Sequence, residues 1–118
     1  LDVLLEHLLL NNFPVVVGNR GWWKKGEKMA LYDQQPIDVS YMILACLEAY
    51  EGIREKIYLD KAKFYYSWFW GNNLKNLPMI KDNGGCSDGL SEVGPSENSG
   101  AESNICFLLA NLGLQKAI

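Results

Sequence analysis

The chain has few of the residues that most often carry chemistry. Its 118 residues include one histidine, His7, and three cysteines, Cys46, Cys86 and Cys106. A single histidine excludes a histidine-based catalytic triad and a multi-histidine metal site, and His7 falls on the flank of the first helical stretch. The cysteines are odd in number and lack metal-ligand spacing. Cys46 and Cys106 sit inside apolar helical stretches and read as small buried hydrophobes. No disulfide framework is implied, which fits a reducing, cytoplasmic location.

Basic charge is also scarce. Eleven Lys and Arg face fourteen Asp and Glu, for a net charge of −3. Binding a nucleic-acid backbone requires a basic stripe, so nucleic acid is not an expected partner. The same balance disfavours an anionic membrane surface. No apolar run reaches the roughly 18–20 residues of a membrane span. The glycine-rich segment 84–89 is no phosphate cradle, because it neither follows a strand nor carries a Gly-Lys-Ser/Thr end. No cofactor or metal is therefore expected. There is no signal peptide and no initiating Met, and Leu1 already lies in the apolar pattern of Val3, Leu4, Leu5, Leu8 and Leu9. The expectation is a domain cut from a longer chain, with a processed secreted protein as the alternative.

What is present is ordinary for a globular chain: 48% hydrophobic and 21% charged residues, enough for one domain over 1–118. Apolar spacing predicts a first helix over 2–10, stopped by Asn11, Asn12 and Pro14. A second begins at Pro36, where a missing N–H is harmless. It is apolar almost all round to Tyr50, with Gly52 as its left-handed cap. A third runs from about Glu55 to Trp70 with one wet stripe and one aromatic face, closed by Gly71 and Asn72. The fourth opens at Ser99 with Glu102 in capping-box spacing, and Gly113 reads as its stop. Residues 13–35 and 72–98 are long irregular connections, the second polar and rich in Gly, Asn, Asp and Ser.

The short link between the second and third helices makes them antiparallel neighbours. The second and fourth helices each follow a long loop, so their N-terminal ends should share one side. The predicted fold is all-α: antiparallel α/α hairpins with the long loops on one face. Helices this apolar should leave greasy surface for another copy or a missing part of the chain.

Two motif sets lie in the loops. One is Gly18-Asn19-Arg20-Gly21-Trp22-Trp23-Lys24-Lys25-Gly26, followed by Tyr32-Asp33-Gln34-Gln35-Pro36-Ile37-Asp38. The other is Gly84-Gly85-Cys86-Ser87-Asp88-Gly89-Leu90, followed by Ser99-Gly100-Ala101-Glu102-Ser103. In order and spacing they resemble the α/α-toroid domain attached to many bacterial glycosyltransferases, of the six-hairpin glycosidase-like superfamily. The resemblance spans residues 18–110. The run Pro95-Ser96-Glu97-Asn98 departs from the family's amide-rich pattern at Glu97. The resemblance implies a partial (α/α) toroid of about four helices, the closing part of a ring. Inner-helix N-termini and loops would then line a carbohydrate-sized cleft. Its implied partners are a saccharide and a glycosyltransferase domain or the remainder of the same chain.

Asp38, Glu102 and Asp88 are the candidate catalytic carboxylates, since glycoside hydrolysis uses two carboxylates flanking the bond. Each has a structural alternative. Asp38 could stabilise the dipole of its helix, Glu102 could complete the capping box, and Asp88 could simply form a turn. Gln34 and Gln35 offer amide donors and acceptors to sugar hydroxyls, or cap the second helix. Trp22 and Trp23, beside Lys24 and Lys25, form an aromatic and basic patch suited to stacking on a sugar ring, or pack against a helix. Asn98 is the remaining candidate saccharide contact. The run Tyr65-Tyr66-Ser67-Trp68-Phe69-Trp70 reads as core. The expected function is a carbohydrate-related domain that binds or processes a saccharide. The alternative is a structural or assembly domain without a site, completed by oligomerisation or by further chain. Glycosyl transfer by this chain alone is not expected, for it has no nucleotide-sugar fingerprint.

Overall fold

The computed structural model describes residues 1–118 and is mostly helical, with two very small antiparallel sheets. The elements run α1 (Asp2–His7), β1 (Leu9–Leu10), β2 (Phe13–Pro14), α2 (Pro36–Ile53) and α3 (Lys56–Tyr66). A 3-10 turn (Ser67–Trp70), β3 (Leu90–Ser91), β4 (Gly94–Pro95) and α4 (Ala101–Ala117) complete the order. No helix is long and apolar enough to cross a membrane.

The all-α expectation is thus corrected at two places. The first helix stops at His7, and Leu9–Leu10 turns back on Phe13–Pro14 with Leu10 opposite Phe13. Asn11 and Asn12 both have positive φ, of 50° and 65°. A two-residue hairpin turn needs that conformation, and asparagine tolerates it. The second sheet pairs Leu90 with Pro95 and Ser91 with Gly94 inside the long polar loop.

Pro36 does open α2, but Gly52 lies inside it, and Arg54 takes the left-handed cap with φ 63°. Only Arg54 and Glu55 separate α2 from α3, so the two pack antiparallel. The third helix tightens to a 3-10 turn after Tyr66 and ends at Gly71, whose φ of 112° suits glycine. α4 passes through Gly113 and continues to Ala117. Gly113 is there for packing: a Cβ would come within 3.2 Å of Leu44 and 3.3 Å of Leu47. A glycine lets α4 settle closely onto α2.

α4 runs parallel to α2. The Ser40 hydroxyl donates to the Cys106 carbonyl at 2.7 Å near one end, and Leu44 and Leu47 meet Gly113 further along. The N-terminal ends of α2 and α4 therefore lie together. The core between the helices holds Val39, Ile43, Cys46, Ala62, Tyr65, Trp68, Phe69 and Ala110. Tyr66, Phe69 and Trp70 surround Phe107 of α4, with Tyr66 and Phe107 stacked at 6.2 Å. The aromatic run is core, apart from the half-exposed Trp70. All three cysteines are free and buried. The expected greasy surface exists: Ile105, Leu108, Leu109 and Leu112 on α4, and Val3 and Tyr41 elsewhere, are each at least half exposed.

Candidate functional site

Both long loops close over the N-terminal ends of α2 and α4. Gln34, one residue before the N-cap of α2, exchanges backbone hydrogen bonds with Leu90, at 2.9 and 2.8 Å. Gly89 lies against the Gln35 amide and the Gln34 carbonyl, where a side chain would have to displace them. Asp88 then reaches α4, accepting from the Gly100 N–H at 2.6 Å and the Ser103 hydroxyl at 2.8 Å. These two donors hold the Asp88 carboxyl below its ordinary value. It caps α4 from another segment of the chain, just before β3. The capping box is corrected accordingly. The N-cap residue is Gly100, with no cap from its own side chain, and the Ser99 hydroxyl instead donates to the Cys86 carbonyl.

Neighbouring polar groups in this loop are spent in the same way. Asn104 accepts from the Cys86 N–H and donates to Ser99, Ser103 also donates to the Cys86 carbonyl, and the Lys81 ammonium bonds the Glu97 carbonyl. Asn73, fully buried, ties the Trp68 and Leu77 carbonyls together. No sequence pattern pointed to Asn73 or Asn104, and the role of Ser103 was hidden because Asp88 and Cys86 lie 15 and 17 residues away.

Asp38 and Glu102 occupy the first turns of α2 and α4. Partial burial raises the Asp38 carboxyl above its ordinary value, and the nearby charge of Glu102 pushes it further. Both carboxylates also raise the Cys106 thiol, after burial, so the three groups share one neighbourhood. Cys46 and Cys86 are pushed up to about 11 and about 12, chiefly by burial. Thiols so shifted are poor nucleophiles at neutral pH.

Asp38 is the one charged residue on an apolar trough of about 360 Å³. Leu1, Leu4 and Leu8 of the α1 region, Val16 and Val17, and Tyr41, Met42 and Ala45 of α2 form the rest of it. Tyr41 was missed from sequence, although it follows Asp38 by three residues and so shares its helix face. A larger hollow of about 450 Å³ lies between the C-terminal halves of α2 and α4. It begins at Leu44, six residues beyond Asp38 and about 9 Å along the helix, and its Glu48, Glu51, Arg54 and Lys116 balance in sign. The trough is the better candidate because it adjoins the carboxylate pair and the loop ends.

The other candidates are scattered in role. Gln34 is fully buried: its amide donates to the Leu31 carbonyl and accepts from the Trp68 indole N–H at 2.9 Å, so it faces the interior and not a surface ligand. Gln35 supplies the N-cap position of α2 through its backbone, without a side-chain cap bond. Asn98 is exposed, with its backbone engaged by Ser96 and Asp88. Trp23 lies at 5.4 Å from the His7 ring and packs on the core, whereas Trp22 is 80% exposed. No group of three or more His, Cys, Asp or Glu side chains is placed to hold a metal ion.

No protein-family model matches the chain, and no curated protein matches it significantly.

Proposed function

We propose that the chain is a carbohydrate-related helical domain that binds a saccharide in the Asp38 trough, as the toroid partner of a glycosyltransferase. The observation that carries this reading is the pairing of Asp38 with Glu102 at the adjoining ends of two parallel helices, beside an apolar wall containing an exposed Tyr41. An apolar surface with a few polar groups suits a sugar ring, which has apolar faces and hydroxyl edges. Glycoside hydrolysis also uses two carboxylates flanking the bond, and Asp38 and Glu102 are neighbours here. Asp38, raised by burial and by the nearby charge of Glu102, is the member that holds its proton to higher pH than an ordinary aspartate. Asp88, bound by Gly100 and Ser103, serves as the brace that fixes the start of α4, and with it Glu102. The packing of α2, α3 and α4 is compatible with consecutive hairpins of an (α/α) toroid, whose remaining helices would cover α1 and α4.

Oligosaccharide binding by the double variant Asp38→Asn/Glu102→Gln tests the reading. Binding should fall while the thermal midpoint stays near that of the wild type. Undiminished binding in a folded double variant removes the proposal.

A second reading has its own support. Ile105, Leu108, Leu109 and Leu112 line α4 at helical spacing and stand about half exposed. That stripe favours an assembly domain whose α4 meets a second copy or further helices of the same chain. Light scattering at micromolar concentration separates the cases: a stable oligomer supports assembly, and a monodisperse monomer counts against self-assembly.

A further inference from the structure

The loop over residues 18–33 differs in charge from everything around it. It holds Arg20, Lys24, Lys25 and Lys28 against Glu27 and Asp33, while the rest of the chain holds seven cations against twelve carboxylates. Arg20 is paired with Asp33 at 3.0 Å, but Lys24, Lys25 and Lys28 make no ion pair. Beside them stands Trp22, 80% exposed.

The loop is also built rather than loose. Gly18 donates to the Ala30 carbonyl at 2.6 Å, Asn19 to Asp33 at 2.7 Å, Arg20 to Tyr32 at 3.0 Å, and Ala30 back to Trp22 at 3.1 Å. A side chain at Gly18 would run into the Tyr32 backbone, and one at Gly21 would press on Ala30. Trp23 anchors the inner side against His7, and Lys75 sits 5.2 Å over the Tyr32 ring from the other long loop. A frame fixed in this way presents Trp22 and three free ammonium groups with little ordering left to pay for on binding. Its first residues continue directly from Val16 and Val17 of the trough wall.

We propose that this loop is a second saccharide-contacting surface, selective for acidic sugars whose carboxylate or phosphate groups pair with Lys24, Lys25 and Lys28 while a ring stacks on Trp22. The proposal rests on the saccharide reading above and adds its charge class. An anionic membrane is the weaker match. Juxtamembrane lipid recognition uses clusters of four to eight basic residues, whereas only three here are free of an ion pair, and the acidic remainder of this chain would face the same surface. A saccharide is small enough to meet the loop without facing that remainder.

Calorimetric titration with matched pairs decides it: an oligogalacturonate against its carboxyl-reduced form, and a phosphorylated oligomannose against its dephosphorylated form. The acidic member of at least one pair should bind about tenfold more tightly at low salt, with the preference fading as salt is raised. Lys24→Gln/Lys25→Gln/Lys28→Gln should abolish that preference, the corresponding Arg triple should keep it, and Trp22→Ala should weaken binding of both members. The proposal is overturned if acidic and neutral members bind alike, if the Gln triple keeps the preference, or if the chain sediments with phosphatidylserine vesicles and binds no acidic sugar. Neutral binding without an acidic preference sinks this proposal and leaves the trough reading standing. Binding of no saccharide at all removes both.

Discussion

The two long loops of this chain are similar in length and opposite in the use of their side chains. The loop between α3 and α4 spends its polar groups on structure. Asp88 accepts from the Gly100 N–H, Ser99, Ser103 and Asn104 bind the backbone of Cys86, and Asn73 braces the turn after Trp70. The loop before α2 is held mainly by backbone hydrogen bonds and close-packed glycines, and leaves Trp22 and three lysines free. A residue rich in potential chemistry is thus no guide to a site until its partners are known. Asp88 had the sequence setting of a cleft carboxylate and is a helix cap, while Trp22 lies outside the core and is unspent.

The comparison can be broken first where the two loops share a root. Trp68 donates to Gln34, whose backbone pairs with Leu90. Trp68→Ala should cost about 3–5 kcal/mol by the cavity left, measured by urea unfolding, and both loops should lose hydrogen-exchange protection together. Gly18→Ala addresses the first loop alone. Its Cβ collides with backbone, so a loss of roughly 1–3 kcal/mol is expected, with exchange protection lost across 18–33 and kept across 72–98.

Asp88→Ala addresses the second loop. Loss of a cap costs about 1–2 kcal/mol at neutral pH. The Asp88 carboxyl is lowered in the folded chain, so its stabilisation is present above the unfolded value near 3.9 and is lost as pH falls through the folded one. The gap between wild type and Asp88→Ala should therefore close in acid. A gap independent of pH would show that the cap is not ionic. The smallest effect belongs to Trp22→Ala, which should change stability by no more than about 0.5 kcal/mol. A larger loss would mean that Trp22 packs as Trp23 does.

Much of the helical frame was legible because α2, α3 and α4 carry long apolar periodicities and α2 has Pro36 at its start. The hairpin after α1 was not, since Leu8, Leu9 and Leu10 continue a helical pattern as readily as they pair in a strand. What settles them is the left-handed pair Asn11 and Asn12. Gly113 was misread as a stop because a glycine that admits a neighbouring helix looks in sequence like one that ends its own. In the candidate site, the first-turn places of Asp38 and Glu102 were legible from the helix-start signals. The roles of Gln34 and Asp88 were hidden, because each is defined by a partner far along the chain: Trp68 and Leu90 for one, Gly100 and Ser103 for the other.

Asp38 and Glu102 act as one electrostatic unit at the joined ends of α2 and α4. A raised Asp38 value means that the folded chain holds this proton longer than the unfolded chain does. Its contribution to stability is full below the unfolded value and is lost as pH rises through the folded one. Carboxyl-carbon NMR titration of Asp38, in the wild type and in Glu102→Gln, measures this directly. The account predicts an Asp38 midpoint above the ordinary aspartate value that moves down when Glu102 loses its charge. An ordinary midpoint, or one that Glu102→Gln leaves in place, would contradict it.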